Sequence, residues 1–370
     1  MIDAEALGQR IAETRNRAGL TQAELAAAIS MSRPALTKIE TGDRRVTALE
    51  LARIAEALDY RIEWFLDDPP AAIVSHRNTQ DPGAPSPRID LVIERVAWNV
   101  EFVVEENDQF SLGAAPVQRV PTTAAEAEML AASARDLLGL DPLGPVTGLA
   151  DKVGAIGLLV FVLDLGAETA DAATILLKAG AAGVVNGALR TGRRRLALAH
   201  ELGHYLVADD FTVDWRVAEY QHGQQRESLL DRFARAMLLP AADVRAHWDD
   251  YSTGDGDLRT AAVRLASEYR VDMATLAMRL VELQVLGRSE ANKVRTVRTT
   301  RADIVELNLV VADEMAPPAL PRAFEAAVLQ LYRSETISPA RAVDLLLDTW
   351  DEDSLPPLPR RSEAEIWQYV

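Results

Sequence analysis

The sequence has no cysteine among its 370 residues, few aromatic residues (5%) and no long apolar run. The lack of cysteine excludes a disulfide framework, a thiolate zinc site and a cysteine nucleophile. The longest apolar runs, such as 155–163, are far shorter than the ~20 residues that a membrane-spanning helix needs. The first residues do not show the basic and then apolar segments of a signal peptide. We therefore expect a cytoplasmic protein that does not act at a membrane.

Positive charge is also scarce, and its distribution along the chain is uneven. The net charge is −17, yet residues 1–66 hold nine basic against ten acidic residues and so carry only −1. The rest of the chain carries −16. A strongly acidic surface repels nucleic acid, so we expect only the N-terminal segment to contact DNA.

The chain length predicts two or three domains, at ~150 residues per domain. Two proline clusters between residues 67 and 88 are typical of a semi-rigid linker. Glycine-bounded apolar segments at 154–163 and 183–186 predict short buried strands among many helices, so the predicted fold class is mainly α with a small β-sheet (α+β). The predicted parts are an N-terminal domain (1–66), the linker (67–88), a connecting helix (89–120), a second domain (121–287) and a helical C-terminal region (288–370).

Residues 21–42 have the pattern of a helix-turn-helix, two short helices separated by a brief turn. Thr21 and Glu24 form a capping-box pattern at the start of the first helix. The second helix would bury Leu36 and Ile39. The residues then expected to face bases or phosphates are Ser32, Arg33, Thr37 and Lys38 on that helix, and Arg44 and Arg45 just after it. From the pattern alone, a small helical bundle with a solvated face is the alternative.

Residues 7–66 resemble the XRE (Cro/C1-type) helix-turn-helix family. The matching positions are Arg15, Gly19, Leu20, Thr21, Gln22, Glu24, Leu25, Ala26, Ser32, Leu36, Ile39, Glu40, Gly42 and Leu51. The resemblance implies a five-helix domain that binds double-stranded operator DNA, usually as a homodimer on a pseudo-palindrome. It also implies that the DNA-contacting residues include Gln22, Arg33, Thr37 and Lys38.

A second motif, His-Glu-x-x-His, lies at residues 200–204 within an apolar helical stretch. Residues four apart share a helix face, so His200 and His204 can ligate one Zn²⁺ ion. Glu201 can reach a zinc-bound water as general base, and zinc lowers the pKa of that water towards ~7. The alternative is a pair of ordinary surface histidines on an amphipathic helix.

A tetrahedral zinc site needs a third protein ligand, for which three residues compete. Asp210 follows the motif, but the glycine that accompanies such a ligand is replaced here by Val207. His222 is a candidate ligand or a substrate-side donor in a loop rich in glycine and glutamine. We prefer Glu227, because Asp231 shares its helix face and can accept a hydrogen bond from a ligand histidine. For this pair, a solvated acidic helix face is the alternative.

Residues 120–285 resemble the ImmA/IrrE-family metallopeptidases. The similarity rests on segments 192–210 and 226–240 and on the glycine-bounded strands before them. It implies a zincin-like, gluzincin-type peptidase. Many members have a second glutamate at the position of Leu229, and we keep Glu227 as ligand because it preserves the Glu-x-x-x-Asp spacing. The arginine run 193–195 also matches, and we interpret it as a basic run flanking the helix.

Together the motifs predict a DNA-binding transcriptional regulator with a zinc-dependent peptidase domain. In related systems the peptidase cuts an XRE-type repressor after a stress signal. The substrate here would be such a repressor, a cognate partner such as a toxin, or the chain's own linker, with stress or phage-related genes under control. The alternative is a non-proteolytic XRE repressor or antitoxin-like factor whose peptidase fold senses a partner.

Overall fold

The computed structural model describes residues 3–58, 60, 62–66, 73–77, 87–167, 169–207, 220–252, 257–309 and 313–358. Contacts divide the chain into two compact units, Met1–Pro70 and Ala71–Val370. Helices dominate the described residues, and the second unit contains a four-stranded sheet. The predicted α+β class is therefore confirmed. None of the described helices is both long and apolar enough to span a membrane.

The first unit contains the five helices predicted for it. They are α1 (Ala4–Arg17), α2 (Gln22–Ala28), α3 (Arg33–Glu40), α4 (Ala48–Leu58) and α5 (Ile62–Leu66). The capping box of α2 is present, because Thr21 and Glu24 each accept a hydrogen bond from the other's backbone N–H. Leu36 and Ile39 of α3 are buried against the core of this unit. Burial of this face turns the opposite face of α3 outward.

The second unit begins with an edge strand and continues with helices on both sides of the sheet. The strands are β1 (Ile73–Arg77), β2 (Leu158–Leu163), β3 (Ala172–Leu176) and β4 (Ala181–Asn186). The helices are α6 (Pro87–Glu106), α7 (Ala124–Leu137), α8 (Leu149–Ala155), α9 (Thr191–Leu206), α10 (Tyr220–Leu238), α11 (Ala241–Ser252), α12 (Leu258–Glu268), α13 (Met273–Glu282), α14 (Arg288–Thr296), α15 (Arg301–Glu306), α16 (Arg322–Arg333) and α17 (Pro339–Leu345), followed by a 3-10 turn (Glu352–Ser354).

The strand order is β1-β3-β4-β2. Strands β2 and β4 are parallel, whereas β3 runs antiparallel to both β4 and β1. The edge at β2 is covered by a bridge in which Val162 and Ala319 exchange backbone hydrogen bonds of 2.8 and 2.9 Å. At the other edge lies β1, within the segment predicted as a linker. The prolines of that segment flank the strand in the sequence and do not interrupt it.

Strands β2, β3 and β4 are buried on both faces, since their successive side chains point to opposite sides of the sheet and almost all of them are buried. Leu158 and Val160 of β2 belong to the core that includes α7 to α10. Leu159 and Phe161 belong to a second core with α6, α16 and α17. The predicted connecting helix and the C-terminal helices thus cover the second face of the sheet together.

The arginine run 193–195 fixes the start of α9. The interpretation of this run as a basic flank is wrong, because α9 begins at Thr191 and two of the three side chains are only 4% and 0% exposed. In chain order, their ion-pair partners are Asp171, Asp313 and Glu314. These pairs tie the start of α9 to the sheet and to the segment that precedes α16.

Substitution of Gly203 in α9 tests how closely α9 packs on α10. A methyl group there would lie 2.9 Å from Cδ1 of the buried Phe233 ring. We expect Gly203→Ala to lower the free energy of unfolding by about 1–3 kcal/mol, because the ring must shift within a packed core. The matched control is Gly154→Ala in α8, where an added Cβ meets nothing within 4 Å. There we expect a gain of up to about 1 kcal/mol from helix propensity. Urea unfolding followed by circular dichroism measures both changes, and equal stability of the two variants would contradict the close packing.

Candidate metal centre and DNA-contacting helix

Two histidines meet on the buried face of α9. His200 and His204 are 2% and 5% exposed, and their Nε2 atoms lie 3.1 Å apart. They lie one turn apart on the same side of the helix, as residues four apart must. Their burial argues against the interpretation as ordinary surface histidines. It places two nitrogen ligands side by side in the interior.

A carboxylate from α10 completes a triangle of ligand atoms. Glu227 Oε2 lies 3.1 Å from His200 Nε2 and 3.5 Å from His204 Nε2. Ligand atoms of a tetrahedral zinc ion, at bond lengths of about 2.0–2.1 Å, are themselves about 3.3–3.4 Å apart. Among the described residues, these three side chains are the group whose ligand atoms lie close enough together to hold one metal ion. The donor set and its spacing therefore fit zinc.

Charge supports the same assignment. Desolvation raises the pKa of Glu227, but the neighbouring His204 and the hydrogen bond with His200 lower it by more, so the net pKa lies well below its usual range. Glu227 is therefore an anion at neutral pH, the form that binds metal. Its side chain is 52% exposed, so one side of the triangle is open to solvent.

Asp231 lies one turn after Glu227 on α10, and its carboxylate faces the other ring nitrogen of His200, Nδ1. Its Oδ1 lies 3.0 Å from His200 Nδ1. A histidine that donates from Nδ1 keeps its Nε2 lone pair for a metal ion. Arg235, four residues further on, lies 3.9 Å from Asp231 and donates to Glu282 of α13 at 2.7 Å. The spacing of Arg235 after Asp231 is a signal of this link that the sequence analysis missed.

Glu201 is the most unusual group of the site. It is 1% exposed, and neither carboxylate oxygen has a hydrogen-bond partner among the described residues. A buried carboxylate without donors is costly, commonly by about 1–3 kcal/mol or more. Such a cost is expected where a group must exchange protons with a bound molecule rather than with the protein. The position beside His200 therefore suits a general base.

The structure describes only in part the other positions considered for the third zinc ligand. Asp210 lies outside the described residues. His222 falls within α10, but its side chain also lies outside them. Leu229 is partly buried and packs against the core of the second unit, so its position serves packing in this chain.

In the first unit, α3 presents the residues predicted to contact DNA. Ser32, Arg33 and Lys38 are exposed, and Thr37 is partly buried. Ser32 is the N-cap of α3, yet its hydroxyl makes no capping hydrogen bond, so it is available to a ligand. The exposed side of α3 thus carries two cations and two hydroxyl groups.

Gln22 is held in place by Thr37 and by Glu40, a residue to which the sequence pattern gave no functional role. Its amide donates to Glu40 Oε2 at 2.7 Å and accepts from the Thr37 hydroxyl at 3.2 Å. Glu40 is itself clamped by Arg15, through Nε at 2.7 Å and Nη2 at 3.0 Å. This chain of contacts joins α1, α2 and α3, and it fixes the orientation of Gln22 in advance of any contact.

The two arginines after α3 differ. Arg44 is 38% exposed and pairs with Glu50 at 2.6 Å, so part of its charge is already compensated. Arg45 is exposed. Of the two, Arg45 is the better placed for a phosphate, because a paired guanidinium must first give up its partner.

The fold and the two sites define a DNA-binding regulator with a peptidase-like domain. Residues 11–65 match the family model described as helix-turn-helix, and residues 155–281 match the model described as IrrE N-terminal-like domain. The chain is therefore a fusion of an XRE-type helix-turn-helix domain with an IrrE/ImmA-like domain. A comparison with curated proteins finds no match.

Removing Asp231 tests how the site holds its histidine. We expect Asp231→Ala to weaken zinc affinity by about 10- to 100-fold, because His200 loses the partner that fixes its tautomer and ring orientation. A competition titration against a chromophoric chelator measures the affinity. The control is Asp249→Ala, which removes an exposed carboxylate from α11. His204→Ala, which leaves two of the three ligands, sets the scale for complete loss. Unchanged affinity in Asp231→Ala would show that Asp231 does not orient the ligand.

Removing cations from α3 tests the DNA-contacting face. We expect Arg33→Ala and Lys38→Ala each to weaken binding to a nonspecific duplex. Each phosphate interaction that is removed makes the slope of log K against log salt shallower by about 0.9. Fluorescence anisotropy at several salt concentrations measures both quantities. Arg53→Ala removes the same charge from the exposed side of α4 and is the control. An equal effect of all three substitutions would mean that net charge, and not this face of α3, determines binding.

Proposed function

We propose that this chain is a cytoplasmic transcription regulator whose second domain is a zinc-dependent metallopeptidase. Its cleavage of a repressor or partner protein would control stress or phage-related genes. The observation that carries this proposal is the triangle of His200, His204 and Glu227 beside the buried carboxylate of Glu201, which has no hydrogen-bond partner within the described ranges.

The roles of the side chains follow from their positions. Zinc held by the triangle would polarise the substrate carbonyl and lower the pKa of a bound water to ~7. Asp231 accepts a hydrogen bond from the Nδ1–H of His200 and so directs Nε2 towards the ligand triangle. Glu201 takes a proton from the attacking water onto a carboxylate oxygen and then delivers it to the leaving amine. The burial of Glu201 keeps competing water away from that oxygen.

The DNA-binding role is assigned to the outward face of α3 and the residues near it. Arg33 and Lys38 would contact phosphates or base edges, Ser32 and Thr37 would contribute hydroxyl groups, and Gln22 is held ready by Glu40. Arg44 and Arg45 would contact the phosphate backbone. We propose that the chain binds operator DNA as a homodimer, as a pseudo-palindromic site requires.

The covalent connection of the two activities supports a substrate that is also found at DNA. A peptidase tethered to an operator meets the proteins bound near that operator at high effective concentration. An XRE-type repressor fits this condition, and a cognate toxin held by the DNA-bound chain is the second candidate. His222 would contribute on the substrate side.

The decisive experiment separates zinc binding from cleavage. Glu201→Gln keeps the shape of the side chain and removes the proton acceptor. We expect zinc to remain bound and cleavage to fall by about 10²–10⁴-fold, as for loss of a general base. Cells carrying the wild type or the variant are exposed to DNA damage or phage. New N-terminal peptides are identified by mass spectrometry, and the transcripts of adjacent genes are measured.

The control is Glu306→Gln, an exposed carboxylate at the end of α15. It should cleave and regulate as the wild type does. If Glu201→Gln regulates as well as the wild type, proteolysis is not the mechanism. The chain would then act as a repressor or antitoxin-like factor whose peptidase fold senses a partner.

A further inference from the structure

The strand β1 occupies a position that a bound peptide could take. It pairs antiparallel with the outer edge of β3, from Ile73 opposite Ile175 to Arg77 opposite Ala172. Among the described residues, β1 is the element that pairs with this edge. Without it, β3 would present a row of unpaired backbone N–H and C=O groups, which is a template for an added strand.

Helix α9, which carries the ligand histidines, packs along both β1 and β3. Its first turns are fixed beside the start of β3 by the ion pair of Arg193 with Asp171 at 2.7 Å. Its end is fixed at the opposite end of the sheet, where the Tyr205 hydroxyl donates to Ile156 just before β2. Helix α9 therefore runs alongside β3 from start to end.

This direction places the ligand histidines near one end of β1. From Arg193 to His200 the helix advances about 10 Å, and β3 spans about 13 Å from its first to its last residue. His200 and His204 are thus level with the end of β3, where its partner is Ile73, and not with the start, where its partner is Arg77. A chain paired with β3 in the direction of β1 therefore has the end opposite Ile175 level with the two histidines.

Proline-containing segments flank β1 on both sides in the sequence. Residues 67–70 and 81–87 on either side contain paired or repeated prolines. Proline has no N–H to donate to a ladder, so pairing with β3 is confined to the short stretch between them. Within the part of the chain that the structure describes, this five-residue strand is paired on one side, so few backbone hydrogen bonds must break before another peptide can replace it.

We propose that the outer edge of β3 is the peptide-binding edge of the peptidase domain, and that β1 is a resident strand that blocks it. The substrate is then an extended polypeptide segment that pairs antiparallel with β3 after displacing β1. This inference rests on the proposed peptidase function and specifies how the chain would inhibit its own peptidase activity. The chain supplies its own competitor from the segment that follows the DNA-binding unit.

The test removes the pairing of β1 and keeps the full chain. Alternate backbone N–H groups of an antiparallel strand face its neighbour, so one of two successive residues donates to β3. The double variant Ser75→Pro with His76→Pro eliminates that donor whichever residue holds it. Ser75→Ala with His76→Ala is the matched control with an intact backbone. All proteins carry Glu201→Gln, so that the probe is not cut.

The probe is a fluorescent synthetic peptide with the sequence of residues 69–81, titrated by anisotropy. If the edge is open in about 0.1–10% of wild-type molecules, the proline variant should bind the probe about 10- to 1,000-fold more tightly than the wild type. The alanine control should bind as the wild type does. Hydrogen exchange should show faster exchange of residues 172–176 in the proline variant and restored protection when the probe is added.

Equal binding by all three proteins, absence of binding by the proline variant, or unchanged exchange at 172–176 would overturn the proposal. If the proline variant loses protection in α9 as well, replacing residues 73–77 by a glycine–serine segment of the same length gives the same comparison. Zinc-dependent cutting within 67–88 of the otherwise wild-type chain would show that β1 is a substrate and not a blocking strand. Tight binding of the probe without any cleavage by the active protein would contradict the proposed function alone.

Discussion

The close contact between α9 and α10 is the constraint on which the second unit depends. Helix α9 carries the two histidines of the candidate metal site and α10 carries its carboxylate, so neither helix holds the set alone. Because Gly203 has no side chain, Phe233 of α10 can lie against the backbone of α9. That approach brings Glu227 within 3.5 Å of both ligand histidines. A wider separation of the two helices would move the carboxylate away from both histidines.

The position of α10 is in turn fixed by ion pairs that connect it with α7 and α13. Arg279 of α13 is fully buried and donates to Glu128 of α7 at 2.6 and 2.8 Å. Arg232 of α10 shares Glu128, while Arg235 pairs with Glu282. Removing one partner of such buried pairs costs more than the pair contributes, because a charge is left without compensation. The network thus specifies where α10 lies, and with it the carboxylates of the site.

Much of this organisation can be predicted from the sequence, where the signal is local. The capping box at Thr21 and the buried Leu36 and Ile39 follow from helix periodicity and cap chemistry, and the five-helix unit follows from the family resemblance. The candidate ligands follow from spacings of four residues on two helices. Local patterns do not show which distant groups meet, so they do not predict the clamp of Arg15 on Glu40. The same limit explains why the run 193–195 has the local pattern of a solvated flank, since two of its acidic partners lie 119 residues away.

The strand β1 is hidden in the sequence for a different reason. The segment 67–88 contains several prolines, so its average composition is typical of a linker. The few residues between the prolines, which form β1, contribute little to that average. Its pairing with β3 depends on a partner almost 100 residues further along the chain. Only the assembled sheet shows that the segment is used as a strand.

The buried arginines at the start of α9 have a consequence for the boundaries of the peptidase-like domain. A helix N-terminus disfavours positive charge, so Arg194 and Arg195 depend on the acidic residues Asp313 and Glu314 for compensation. The family match ends at residue 281, before either acidic residue. A fragment cut at that match would expose two guanidinium groups without their counter-charges and would uncover the sheet face that α6, α16 and α17 shield. The smallest autonomous folding unit of this peptidase-like domain is therefore larger than the segment that matches its family, and it extends to the helices at both ends of the second unit.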